Sequence, residues 1–399
     1  MKKLLIIFLL LASISYGQNT FFQIVQSVPD ETTMEKSRLP RTQDVWLNMI
    51  NNAKSTLDIG MFYFANKQGE ALVAVLDAIK NAAARGVKVR VLVDSAFYSG
   101  SEKSVDELIN IANITVAKIS FKNVGGGIMH AKYMIADERD LYTGSANADW
   151  RALDHIHELG IRVKNKKLAK NFTAIFNYDW NNSDVGRGTM NGELISPDEI
   201  LNSQNKLFIN TKNYGSMSIY PCFSPIGKMP EGFDNELEDM IGLINNAKYR
   251  LDIQMYAYNT KEEFKDIDNA IRDASARGVK VKIIFGNWAI RKGATEVIQA
   301  LSQVENIEIK FSSIPEHSSG FIPYARVEHC KYFLVDNNIS WVSSANWEKG
   351  YFYGSRNTTL VIKNKGVNKA LRKVFMADWD SYYVALVDPN RTYESIKRN

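Results

Sequence analysis

The strongest chemical signal in the chain is a short string that occurs twice. His130, Lys132 and Asp137 stand in the spacing His-x-Lys-x4-Asp, and His329, Lys331 and Asp336 repeat it. Residues 133–136 and 332–335 are apolar runs of the kind that form strands buried on both faces. On a strand, residues two apart share a face, so each histidine points the same way as its lysine. Each aspartate lies an odd number of steps away and faces the other side, which predicts a structural role for it. Ser145 and Asn147 follow the first string, and Ser344 and Asn346 follow the second. Serine hydroxyls and asparagine amides can donate hydrogen bonds to anionic oxygens. Imidazole can be tuned to act as a nucleophile or as a proton donor near neutral pH. Two lysines and two asparagines converging on one point would neutralise and orient a phosphodiester between two histidines.

The elements that must bring these groups together are themselves duplicated. The segment 50–54 (Ile-Asn-Asn-Ala-Lys) recurs at 244–248, Leu-Asp-Ile at 57–59 recurs at 251–253, and Ala-Arg-Gly-Val-Lys-Val at 84–89 recurs at 276–281. Together with the two His-x-Lys strings and the two Ser-Ala-Asn strings, these make five matches in one order, at offsets between 192 and 199 residues. Each copy reads as α/β. Helical spacing covers 45–53 and 71–84, the latter stopping at Arg85-Gly86, and strands cover 57–64 and 87–93. The second copy repeats this with strands at 251–258 and 279–285 around a helix at 264–276. Strands alternating with helices predict two lobes, each a mixed sheet flanked by helices, with the site at their interface. The predicted lobes are 18–195 and 217–399, joined by a polar linker at 196–216.

These strings resemble the motif of the phospholipase D superfamily, in which His-x-Lys-x4-Asp is followed by Gly-Ser-x-Asn. Both copies are complete except that Ser343 stands where the glycine is expected. The resemblance extends from about residue 40 to about residue 385. The stretches 144–151, 157–160, 344–347 and 350–352 are similar to the branch containing the lysosomal 5′ exonucleases of the spleen exonuclease type. The resemblance implies a phosphohistidine mechanism without metal or other cofactor: one histidine attacks phosphorus, the other protonates the leaving oxygen and later activates water. Glu158 follows His130 by 28 residues, whereas the matching position after His329 is Asn357. A carboxylate orienting the histidine of its own copy makes His130 the expected nucleophile and His329 the general acid/base. The leading substrate is single-stranded DNA or RNA with a 5′-hydroxyl end. A phospholipase or transphosphatidylase on glycerophospholipids, and a catalytically silent binding protein, are the alternatives. A homodimer stays open.

Further residues are candidates on type and position. Phe64, Tyr258 and Trp347 could stack a base beside Ser145 and Ser344. Trp150, Tyr351 and Phe352 read chiefly as packing. The run Gly125-Gly126-Gly127 reads as a flexible loop. His155 and His157 lack a third metal ligand nearby and read as surface residues or as support for the site.

Composition bounds the rest. With 45% apolar and 23% charged residues in 399, the chain is of ordinary globular type. Lys2 and Lys3 followed by the apolar run 4–14 and small residues before Gln18 predict a cleaved secretory signal at 1–17. The run is much shorter than the roughly 20 apolar residues of a spanning helix. The mature chain is then expected to be secreted, periplasmic or lumenal, without a membrane anchor. Its net charge falls from +5 to about +3, which suits an anionic substrate without demanding one. Cys222 and Cys330 are predicted to be buried free thiols rather than a bridge. Six Asn-x-Ser/Thr strings, at Asn113, Asn171, Asn181, Asn338, Asn357 and Asn390, read mostly as chance matches.

Overall fold

A computed structural model describes residues 20–34, 38–100, 104–186, 195–260 and 263–398. The expected signal segment 1–17 lies outside them. The duplication is realised strand for strand. One sheet runs in the order Phe21–Ser27, Glu158–Lys164, Asp140–Gly144, Lys132–Ala136, Thr56–Met61, Lys88–Asp94, Ile114–Ile119. The second repeats that order through Gly215–Ser224, Asn357–Lys363, Ile339–Ser343, Lys331–Val335, Arg250–Met255, Lys280–Gly286 and Ile307–Ser312. In each, the strand of the first repeat segment pairs parallel to one neighbour and antiparallel to the motif strand, so both sheets are mixed.

Each sheet buries its outer face under its own helices, Thr42–Asn52 and Leu72–Ala84 in the first lobe, and Glu236–Asn245 and Asp266–Ala276 in the second. The inner faces share one core. Helices Lys166–Asn181 and Lys365–Trp379 lie in it, with Tyr133, Leu141 and Ile161 from one sheet and Tyr332, Val342 and Leu360 from the other. Both helices start at an asparagine whose side chain caps the first turn, Asn165 onto Leu168 N–H and Asn364 onto Val367 N–H. A continuous apolar core across the two lobes fixes them as one unit, which a site made of halves requires.

Three expectations are corrected. The predicted linker 196–216 is partly ordered into the second lobe, because Leu207–Thr211 pairs antiparallel with Gly215–Ser224 as an added edge strand. The predicted strands 57–64 and 251–258 break after Met61 and Met255. Phe64–Ala65 and Tyr258–Asn259 instead form short parallel ladders with Ala148–Asp149 and Trp347–Glu348. The glycine run is a site of close approach. A Cβ on Gly127 would stand 2.4 Å from Ser355 Oγ, one on Gly125 would stand 2.4 Å from the Gly354 carbonyl oxygen, and Gly126 has φ +90°. Gly127 N–H donates to that same carbonyl at 3.0 Å, so the segment before His130 closes directly on the second lobe.

A candidate phosphodiester-cleaving site between the lobes

The two motif strands enter the lobe interface through crossed backbone contacts. His130 N–H donates to the carbonyl of Arg356, and His329 N–H donates to the carbonyl of His157, each at 2.9 Å. Each histidine is thereby tied to the segment that comes after the Ser-Ala-Asn string of the opposite lobe. Thr143 Oγ1 and Thr358 Oγ1 meet between the lobes at 2.8 Å.

The side chains show the same exchange. Nδ1 of His329 lies 2.8 and 2.9 Å from the two carboxylate oxygens of Glu158, and Nδ1 of His130 lies 3.0 Å from Asn357 Oδ1. Glu158 therefore serves the histidine of the other lobe, and the expectation that it orients His130 is overturned. Strand Glu158–Lys164 faces the second lobe at its start, which sequence distance from His130 could not reveal. Ser145 Oγ donates to Glu158 Oε2 at 2.5 Å, and Ser344 Oγ donates to Asn357 Oδ1 at 3.2 Å. The two serines, expected to contact substrate, are fully buried and hold the partners of the histidines instead.

The amide of Asn357 has a fixed orientation. Its Nδ2 donates to Ser224 Oγ and to the carbonyls of Tyr351 and Ser355, so its oxygen is the atom facing His130. An amide oxygen accepts only, so Nδ1 of His130 carries the hydrogen and Nε2 keeps its lone pair.

Lys132 and Lys331 are buried, and each ammonium donates to the carbonyl of the histidine two residues before it, at 2.7 Å for Lys331. Burial lowers the pKa of Lys331 to about 8, and that of Lys132 falls well below its usual value through burial and the charge of Lys331. Burial, and then both lysines, push His130 and His329 well below 6.5; the charge of His329 also acts on His130, so the groups form one electrostatic cluster. Burial pushes Glu158 up to about 8 against the opposing pull of the lysines and Ser145. Asn147 and Asn346 are buried, and the side-chain oxygen of each has no hydrogen-bond partner among the described residues.

Asp137 and Asp336 point away from this cluster, as the parity argument requires. Asp137 accepts the N–H groups of Lys54, Ser55 and Thr56, and Asp336 those of Lys248, Tyr249 and Arg250. Each pins the turn leading into the first repeat strand.

Behind the histidines lies a second set of crossed pairs. Arg356 donates to both carboxylate oxygens of Asp179 at 2.8 Å, with both side chains fully buried. His157 occupies the equivalent place in the other half, 2.5 Å from Glu328 Oε2 and 3.6 Å from Asp378 Oδ2. Burial opposes its charge, but these two carboxylates outweigh that and raise its pKa to about 9. Cys330 lies close enough that His157, Glu328 and Cys330 could offer ligand atoms within 4.8 Å of one another. Those atoms are already engaged, His157 with Glu328 and the thiol with the His157 carbonyl. His155 is buried against the rings of Trp150 and His317, not on the surface. Cys222 and Cys330 are buried free thiols.

The aromatic residues at the site differ from those expected. Phe64, Tyr258 and Trp347 are 3%, 0% and 0% exposed, so no ring face is open to a base. Tyr258 donates its hydroxyl to Asp268 and packs on Phe285 in the core. The rings that touch the histidines are Phe62 and Tyr351 on His130, at 5.1 and 4.7 Å, and Tyr256 on His329, at 4.6 Å. Phe62 and Tyr256 hold equivalent places just past Met61 and Met255, which the repeat alignment alone could have flagged. Asn357 is buried, so its Asn-x-Thr string cannot accept a glycan in the folded protein.

The family model described as "Cardiolipin synthase, PLD-like domain" matches residues 46–180 and 240–379, one stretch per lobe. Phospholipase D Y of Dictyostelium discoideum is 29% identical over 92% of this chain and 92% of its own length. The 5'-3' exonuclease PLD3 of Rattus norvegicus is 27% identical over 90% of this chain and 79% of its own length. Among solved structures, phosphatidylserine synthase of Haemophilus influenzae superposes with a TM-score of 0.63 over 86% of this chain and 85% of that one, at 14% identity. That likeness speaks to the fold alone. Joined to a motif present in both lobes, these matches mean that the chain belongs to the phospholipase D superfamily, on its PLD3-like branch, and is a phosphodiesterase.

Proposed function

We propose that the chain is a 5′ exonuclease on single-stranded DNA or RNA, with His130 as the nucleophile and His329 as the general acid and base. The observation that carries the assignment is the unequal pair of Nδ1 partners, a neutral amide on His130 and a carboxyl on His329. Asn357 locks His130 in the tautomer whose Nε2 lone pair is free, and burial beside two lysines keeps that imidazole neutral. Nε2 attacks phosphorus, the bond to the leaving oxygen breaks, and that oxygen takes a proton from Nε2 of His329. Glu158, raised to about 8, holds a proton into the neutral range and passes it to Nδ1 of His329 as Nε2 gives its own up. In the second half, water attacks the phosphohistidine, His329 takes the proton of the water, the proton returns to Glu158, and the N–P bond breaks. Lys132, Lys331, Asn147 and Asn346 neutralise and orient the non-bridging oxygens throughout.

A nucleic acid is favoured over a lipid by the lining beyond the histidines. It is aromatic and cationic: Tyr63 and Phe97 extend from Phe62, and Trp288 and Tyr324 extend from Tyr256, with Arg398 over Trp288. Residues 1–17 act in this reading as a cleaved export signal. Among the described residues no helix is long and apolar enough to cross a membrane.

The purified protein is incubated with 5′-hydroxyl and 5′-phosphorylated single strands in EDTA, and separately with phosphatidylcholine and a primary alcohol. Nucleotide release from the 5′-hydroxyl strand is the expected result. Alcohol transfer without nucleotide release would move the assignment to the lipid enzymes, activity lost in EDTA would remove the histidine-only mechanism, and silence on both substrates would leave a binding protein.

A further inference from the structure

A file of aromatic rings leads from His329 to the surface. Tyr256 lies 4.6 Å from His329, Trp288 lies 5.9 Å from Tyr256, and Tyr324 lies 6.1 Å from Trp288. Tyr324 is 47% exposed. Two of its rings carry a cation. Lys331 Nζ sits 5.1 Å from the Tyr256 ring, and the Arg398 guanidinium sits 5.2 Å from the Trp288 ring. Arg398 is built into place: its Nη2 donates to the Trp288 carbonyl at 2.7 Å, and its own carbonyl accepts Tyr324 N–H at 2.8 Å. The charge of Arg398 is felt at Tyr256, the ring against His329. Among the described residues, no carboxylate pairs with Arg398. Tyr324 holds φ +58°, a left-handed backbone that a bulky residue rarely adopts and that its N–H bond to residue 398 secures. On the His130 side, Phe62, Tyr63 and the exposed Phe97 form a ring cluster that carries Lys132 on Phe62 but, among the described residues, no stacked arginine.

We propose that Trp288, Tyr324 and Arg398 form the subsite for the departing strand, with the two rings stacking the base of the leaving nucleotide and the guanidinium meeting the next phosphate. This rests on the nucleic-acid reading above. In that reading His329 protonates the leaving oxygen, so whatever lies on its side of phosphorus is the part of the polymer that departs. Rings take any base by its π-face, and an arginine stacked on a ring offers its N–H edges to phosphate. The subsite therefore reads polymer, not sequence, and sets a minimum length. A dinucleotide has a base for the rings but no second phosphate for Arg398. A trinucleotide has both.

The test uses the intact chain and the variants Tyr324→Ala, Trp288→Ala, Trp288→Phe and Arg398→Gln. Substrates are a trinucleotide, a dinucleotide, a dinucleotide abasic on its leaving side, and the p-nitrophenyl ester of thymidine 3′-phosphate. Loss of the rings is expected to lower kcat/KM on the dinucleotide by roughly 10-fold, within the span of one base–aromatic stack. The abasic substrate should be little affected, and Trp288→Phe should recover most of the loss. Arg398→Gln is expected to lower kcat/KM on the trinucleotide alone and to reduce the slope of log KM against log salt by about 0.7, the value for one phosphate contact on a single strand. Loss by the same factor on every substrate, or no loss on any, would overturn the subsite while leaving the exonuclease assignment intact. If the wild-type chain cleaves no oligonucleotide, both fall together.

Discussion

Replacing Glu158 by glutamine tests which histidine stands behind the leaving group. The carboxyl is fully buried, accepts from Ser145 Oγ at 2.5 Å and spans Nδ1 of His329 at 2.8 and 2.9 Å. Glutamine preserves the shape and can still bond to Nδ1, but it cannot deliver a proton. General acid catalysis is worth about 10²- to 10⁴-fold, and its worth depends on how poor the leaving group is. A nucleoside alkoxide needs the proton; p-nitrophenolate departs without it. Glu158→Gln should therefore lower kcat on a dinucleotide by on the order of 100-fold or more, with less than about 10-fold loss on the p-nitrophenyl ester of thymidine 3′-phosphate. The pH profile adds a second readout. The wild-type carboxyl, raised to about 8, is protonated below that value and loses its proton above it. Dinucleotide activity should thus fall on the alkaline side near pH 8, where Lys331 also loses its charge, and the variant should keep only the shallower limb that Lys331 gives. The assay is steady-state kinetics on both substrates from about pH 5 to pH 9.5. Equal losses on the two substrates, or an unchanged alkaline limb in the variant, would show that Glu158 does not serve the departing oxygen, and the assignment of the two histidines would be reversed.

Wild-type protein quenched in alkaline detergent while turning over a labelled diester should carry covalent phosphate. His130→Ala should carry none, and His329→Ala should accumulate it on the p-nitrophenyl substrate, because water activation is lost while departure is not; label trapped in His130→Ala would refute the nucleophile. Asn357→Asp puts a carboxylate on Nδ1 of His130, which should raise the pKa of that imidazole and move the acid limb of kcat/KM upward by roughly 1–2 units. An unmoved limb would mean that the limb does not report His130. Arg356→Met leaves Asp179 buried and unpaired between the lobes, at a cost of about 3–5 kcal/mol in denaturant unfolding. A loss under 1 kcal/mol would show that the crossed pair does not help join the halves.

Much of this arrangement is legible in the sequence because duplication converts sequence into geometry. Two strings in the same order in two copies predict two like sheets, and strand parity separates His130 and Lys132 from Asp137. Partnership between the copies is not legible. Counting 28 residues past His130 reaches Glu158 but does not say which lobe that carboxyl faces, so spacing places Glu158 with its own half when the fold gives it to the other. The aromatic residues mislead for a related reason. Phe64, Tyr258 and Trp347 are large, apolar and near the motifs, and those same properties draw them into the core. Phe62 and Tyr256 reach the histidines because the strand breaks just after Met61 and Met255, and a two-residue break carries no periodicity to read.

The exchange of partners also explains why two nearly equal halves can do unequal work. The Nδ1 partner of each histidine and the carbonyl that takes its N–H come from the other lobe: Asn357 and the Arg356 carbonyl for His130, Glu158 and the His157 carbonyl for His329. A change in one lobe therefore alters the chemistry of the opposite histidine while its own motif stays intact. Glutamate at 158 against asparagine at 357 is such a change, and it divides the labour between a neutral attacker and a proton carrier. The layer behind repeats the pattern, with Arg356 on Asp179 facing His157 between Glu328 and Asp378. Arginine holds a fixed charge at any working pH, whereas Asp378, raised by burial to about 7, exchanges its proton near neutrality beside His157, which is raised to about 9 and gives its proton up only in alkali. The titratable layer lies behind His329, the histidine that must gain and lose a proton in each cycle, and the fixed layer lies behind His130, which must stay neutral until it attacks.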